Sequence, residues 1–169
     1  MNVPALVDIV LAEPVVSSSV NDLLYLSGNI DFLIGDSLIR VGPFTGALFL
    51  LPSLEVLADG VARLRRQETI IELTFVGDAP SLWFTEKKVD GERGVVAAYR
   101  AFRTALTSRQ ALDAACGEAV GRFFETLSSQ VSLADVEAPI RKMLSTSVVV
   151  WPHLSKFLTE RQTLARRER

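Results

Sequence analysis

The chain has 169 residues, 49% of them hydrophobic and 22% charged, and a net charge of −2. That length and composition suit a globular domain able to bury a core without metals or cross-links, and they exclude a wholly disordered protein. A single cysteine, Cys116, excludes an internal disulfide, and the acidic body excludes a general nucleic-acid binder, which needs a basic face.

Met1–Val16 shows no clear period, and Pro4 and Pro14 bracket either a short strand or a partly ordered arm. It carries Asp8 and Glu13 and no Lys or Arg, which is not the pattern of a secretory signal. Apolar runs elsewhere fall far short of the ~20 residues that span a bilayer. We therefore expect no transmembrane segment and a cytoplasmic location.

Two extended runs follow, Asp22–Leu26 and Ile30–Val41, read as a hairpin turning at Ser27-Gly28-Asn29, with Gly35-Asp36 as a second turn or a bulge. Leu50, Leu51, Leu54, Leu57, Ala58, Val61 and Leu64 recur at helical spacing, which predicts a helix over Leu48–Arg66. Pro52 suits its first turn, while Gly60 weakens it by roughly 1 kcal/mol relative to Ala.

A three-stranded meander comes next. Ile71, Leu73 and Phe75 alternate with polar residues, Leu82-Trp83-Phe84 opens a second strand, and Asp90-Gly91 turns it into Val95–Tyr99. Thr107 with Gln110 matches a capping box at the head of a helix reaching Leu127. Ser132 with Asp135 suggests a further helix start that Pro139 interrupts. Ser147–Trp151 is rich in β-branched residues and reads either as extended structure or as buried helix. Pro152–Arg169 reads as a terminal helix with Leu154, Phe157, Leu158 and Leu164 inward. Residues 152–169 hold five basic and two acidic groups, leaving −5 on the rest of the chain; cations at a helix C-terminus are electrostatically favoured.

Reactive chemistry is sparse. With one histidine, His153, and one cysteine, a zinc site would need mostly carboxylates, and Asp31–Asp36 lacks the alternating oxygens of a calcium loop, so we expect no metal. Cys116 falls on the apolar stripe of its helix and reads as a small buried hydrophobe. His153 follows Pro152 and has no nucleophile elbow beside it, so it reads as a helix-start residue. Gly42-Pro43-Phe44-Thr45-Gly46 lacks the Lys-Ser/Thr of a phosphate loop. No cofactor is expected.

Carboxylates are abundant on the strands and turns: Asp31, Asp36, Glu72, Asp78, Glu86, Asp90 and Glu92. Two of them converging in a cleft could act as acid and base. A strand with one wet face also produces such acids without any catalytic role. Trp83 and Phe84 are adjacent, so on a strand they face opposite sides. Either both rings are covered by helices, or Trp83 is an exposed anchor for a protein partner.

The stretch Gly28-Asn29-Ile30-Asp31-Phe32-Leu33-Ile34-Gly35, the Leu-rich helix, Glu72-Leu73-Thr74-Phe75, Leu82-Trp83-Phe84 and Ala111–Leu127 together resemble small bacterial immunity proteins of the polymorphic-toxin type over residues 20–130. That resemblance implies an acidic, cytoplasmic α+β domain without enzymatic activity that binds and blocks a toxin.

The expected fold is α+β, an antiparallel sheet of about five strands with helices packed on one face. Residues 1–130 are expected to form the core domain and 131–169 a helical C-terminal extension packed on it. The expected function is stoichiometric protein binding, with Asp78, Trp83, Glu86, Asp90 and Glu92 meeting a basic partner such as a toxin domain. The alternatives are a secretion chaperone or scaffold that dimerises, and a small carboxylate-based enzyme.

Overall fold

A computed structural model describes residues 2–17, 19–43, 45–133 and 137–158. The elements run β1 (Ala5–Leu11), α1 (Val20–Leu24), β2 (Gly28–Ile34), β3 (Ser37–Val41), α2 (Leu50–Arg65), β4 (Ile70–Leu73), β5 (Leu82–Val89), β6 (Glu92–Tyr99), β7 (Phe102–Arg103), α3 (Arg109–Gln130), α4 (Glu137–Met143) and α5 (Ser145–Val150), then a 3-10 turn at Pro152–Leu154. The α+β class holds. The single sheet does not: the strands form two antiparallel sheets, β1-β2-β3 and β4-β5-β6-β7.

The first sheet is built on a strand from Met1–Val16, the short-strand option for that segment. β1 runs antiparallel to β2 from Ala5 opposite Ile34 to Leu11 opposite Gly28. Asp22–Leu26, read as a strand, instead lies mostly in α1. The Ser19 hydroxyl accepts from the Asp22 N–H at 3.2 Å and caps that helix, and Leu23 is fully buried. The β2–β3 hairpin turns at Gly35-Asp36, where Gly35 has φ +58°, as a tight turn with glycine at its first central position requires. Gly28 begins β2 under severe crowding: a Cβ there would lie 1.9 Å from the Val10 carbonyl oxygen.

In the second sheet, Asp90 (φ 50°) and Gly91 (φ 85°) form the β5–β6 turn, with both central residues left-handed. Strict alternation buries Leu82 and Phe84 and turns Trp83 outward.

The two sheets meet at a seam. Beyond β7, Thr104 donates to the Ala97 carbonyl at 2.9 Å, and Thr107 exchanges backbone hydrogen bonds with Val95 at 2.9 and 2.7 Å. On the other side of this segment, the Val3 N–H donates to the Leu106 carbonyl at 2.8 Å and the Thr107 hydroxyl donates to the Val3 carbonyl at 2.7 Å. That bond takes Thr107 away from the expected capping box. Ser108 is the cap instead, its hydroxyl accepting from the Ala111 N–H at 3.0 Å.

Helix packing also departs from one layer on one face. The inner faces of the sheets touch each other, with the rings of Phe32 and Phe84 edge to face at 6.0 Å. α2 buries residues around most of its circumference, from Leu50 and Leu51 to Val61 and Leu64. Gly60, unfavourable for a lone helix, has its reason here: a Cβ would lie 2.5 Å from Leu73 Cδ2, so its absence lets β4 approach.

Ile140, Leu144, Val150, Trp151, Leu154 and Leu158 join the same apolar core as residues of both sheets. Ser145–Val150 is helix, the buried-helix option for that β-branched run. Pro139 lies in the first turn of α4, where its missing N–H costs nothing. Asp135 and residues 159–169, including Leu164, lie outside the described residues.

Candidate functional site

The outer face of the second sheet carries an exposed apolar patch. Register places Glu72 opposite Trp83 on one side and Ala98 on the other, with Arg103 next beyond Ala98. The neighbouring row is Ile70, Thr85 and Val96. Trp83 is 39% exposed and Ile70 59%, and the charged ends of Glu72 and Arg103 are exposed beside them. An aromatic ring lying open, next to an aliphatic side chain and between opposite charges, can bury apolar surface and set an orientation by charge.

The acidic residues expected to surround Trp83 go elsewhere. Asp78 follows Gly77 in the loop after β4; its carboxylate accepts from the Thr45 hydroxyl at 3.0 Å and its N–H donates to the Ala47 carbonyl at 2.9 Å. It ties two loops together. Glu86 turns to the inner side of β5 and accepts from Arg109 at 2.6 Å. The same guanidinium donates to the carbonyls of Leu64 and Glu68, at 3.3 and 2.8 Å. The Arg109 hydrogen bond, opposed by partial burial, holds the Glu86 carboxyl below the usual range. Asp90 sits in the β5–β6 turn, and Glu92 accepts from the Asn2 N–H at 2.9 Å. Asp78 and Asp90 therefore flank opposite ends of β5, eight residues or about 26 Å long at the usual strand rise. The five side chains do not form one acidic patch.

A second apolar row was not visible in the sequence. Leu6, Leu33 and Leu38 stand in register across the outer face of the first sheet, 49%, 38% and 54% exposed. The next row is Asp8, Asp31 and Arg40, in which Arg40 donates twice to Asp31 at 2.9 Å. The signal was the alternation of Leu6, Asp8 and Val10 with Val7 and Ile9, weakened because both sets are largely apolar.

The remaining candidates lie away from both outer faces. Cys116 is fully buried, and burial, with Asp113 nearby, pushes its thiol pKa far up. His153 is exposed and rests against α3 at Gly121, where a Cβ would lie 3.4 Å from its Nε2. A groove of about 630 Å³ between α3 and the Trp151–Lys156 segment is lined by Asp113, Glu118 and Glu125 interleaved with Arg65, Arg122 and Lys156. Asp113 is held by Arg65 in a two-pronged pair at 2.7 and 2.9 Å, so its carboxylate faces a cation rather than a second acid. Among the described residues no group of three or more His, Cys, Asp or Glu side chains is placed to hold a metal ion, and no helix is long and apolar enough to cross a membrane.

Compared with known proteins, the chain matches no family model, no curated protein and no solved structure.

Proposed function

We propose that this chain is a binding protein without turnover, which docks another protein on the outer face of the second sheet around Trp83. The observation that carries the reading is the exposed indole of Trp83, set beside Ile70 and between Glu72 and Arg103. Tryptophan at the centre of a patch is the residue type most enriched among interface hot spots, and a charged rim excludes water around it. The partner that fits presents an apolar side chain to Trp83, a cation to Glu72 and an anion to Arg103.

The resemblance to immunity proteins gives the sharpest form of this reading, a cytoplasmic inhibitor of a basic toxin domain. The charge of −5 outside residues 152–169 would speed encounter with such a partner even though no single acidic cluster meets it. The carboxylate-enzyme reading draws no support from Glu86 or Glu68, both of which arginines hold ionised.

The test is capture from the native host with the chain tagged, in parallel with its Trp83→Ala variant. A partner in stoichiometric amount with the wild type, lost with Trp83→Ala and retained with Val149→Ala on an exposed helix position, supports the reading. Equal recovery with Trp83→Ala sinks it.

A further inference from the structure

The outer edge of β3 is an open sheet edge with a self-complementary face. In the β2–β3 hairpin, Ile34 pairs with Ser37 across a two-residue turn. Backbone groups alternate along an antiparallel ladder, so Ser37, Ile39 and Val41 point their N–H and C=O groups at β2. The backbone of Leu38 and Arg40 therefore points away from the sheet. Among the described residues nothing pairs with it: the next edge group along, the Gly42 carbonyl, accepts from the Tyr99 hydroxyl at 3.4 Å, and the contacts stop there. Folded proteins cover or blunt such edges, because unpaired strand groups template the addition of another strand.

We propose that the strand which covers this edge is β3 of a second copy, paired antiparallel with Leu38 opposite Leu38 across a twofold axis. Two features choose that occupant and that register. First, Leu38 is a position whose N–H and C=O both face outward, so the two copies can exchange a pair of backbone hydrogen bonds there. The row Leu6–Leu33–Leu38 then meets its own image, and the exposed Leu38 side chains cover each other. Second, continuing two residues each way from Leu38 brings Arg40 on β3 of one copy, where it also holds Asp31, level with Asp36 in the hairpin turn of the other, and by symmetry Asp36 level with Arg40. Both residues are exposed. The twofold thus brings together two opposite-charge pairs from one hairpin. A slip of two residues would set Leu38 against Arg40 or Asp36, and a slip of four would set Arg40 against Arg40; each loses either the apolar match or the charge match. The contact is isologous, the closed arrangement expected for a dimer.

The experiment uses the full chain. Sedimentation velocity across a concentration series reads the dimer, and hydrogen exchange followed by NMR reads the Leu38 and Arg40 amides. The expected result is a monomer–dimer equilibrium in which those two amides gain protection as the dimer fills. Arg40→Glu and Asp36→Lys, made singly, each put like charges across the axis and should weaken the dimer about tenfold or more. Mixed one to one, the two variants face each other with opposite charges at both positions, so a heterodimer should form where neither variant dimerises alone. A chain that stays monomeric at every concentration overturns the proposal. So does a dimer in which the Leu38 and Arg40 amides exchange freely, since that dimer uses another surface. Capture of a different protein at Trp83 leaves this outcome unaffected, because the two surfaces lie on different sheets.

Discussion

Glu55 on α2 holds the first turn of α5 with both carboxylate oxygens. One accepts from the N–H and the hydroxyl of Ser147, each at 2.8 Å, and the other accepts from the Thr146 N–H at 3.1 Å. Ser147 is fully buried, so without Glu55 its polar groups have no water to turn to. Glu55→Ala should cost about 1–3 kcal/mol in urea unfolding, the penalty of orphaned donors, and Glu55→Gln less, since one oxygen remains.

Gly94 sits where the two sheets join. A Cβ there would lie 2.5 Å from the Thr107 carbonyl oxygen and 2.8 Å from Leu106 Cγ. The first of these is backbone and cannot swing away. Gly94→Ala should therefore destabilise by about 1–3 kcal/mol, as overpacking does. It should also raise hydrogen exchange at Val3 and Thr107 more than in β2. Uniform exchange across both sheets would contradict this account of the seam.

The Glu86–Arg109 pair gives stability an acid-side dependence whose sign is fixed. The Glu86 pKa is depressed in the folded chain, chiefly by the Arg109 hydrogen bond. Its contribution is fully present above the unfolded carboxylate pKa, about 4.3, and is lost as pH falls through the lower folded value. Glu68, held by Arg63 and Arg66, acts in the same direction. Glu86→Gln should lower the melting temperature at pH 7, and the two proteins' curves should converge as pH falls toward 3. Parallel curves would show that the pair is not linked to folding.

Much of this was readable in advance and some was not, for reasons that differ by element. α2 and α3 announce themselves because Leu54, Leu57, Val61 and Leu112, Cys116, Val120 repeat at helical spacing and are buried as that spacing requires. The burial of Cys116 followed from the same stripe. β1 was left between strand and arm because Leu6 and Val10 on its outer face are as apolar as Val7 and Ile9 on its inner one, which erases the period of two. Leu24 and Leu26 looked like a strand because a helix of five residues is too short to display a period, and its cap, Ser19, lay in a serine run that reads as loop. The expected site failed at Glu86 through a long-range contact: Arg109 is 23 positions away, and no local pattern marks that pairing.

Cys116 offers a probe of global opening. Its thiol is fully buried with its pKa pushed up, so the reactive thiolate is scarce in the native chain. A disulfide reagent at pH 8 should label it only at the unfolding rate and rapidly in denaturant. Cys116→Ser places a hydroxyl in the same apolar site and should cost about 1–3 kcal/mol.

The two tryptophans should separate spectroscopically. Trp151 is 2% exposed and packed against Gly117, whereas Trp83 is 39% exposed. Iodide should quench one component of the emission, and Trp83→Phe should remove that component and leave a blue-shifted, protected signal. Quenching that survives Trp83→Phe would place the open indole at residue 151.

The seam also carries an order of events. Val3 and Thr107 are 104 positions apart, yet each needs the other: one supplies the carbonyl, the other the hydroxyl. As the chain leaves the ribosome, β1, β2 and β3 can pair among themselves while residues 102–107 are still unmade. The open backbone at Val3, just ahead of β1, must wait for the second sheet, and every interrupted product of translation shorter than this segment exposes it to whatever strand comes first. In such a chain the N-terminal residues behave as a latch that closes only once residues 102–107 have been made.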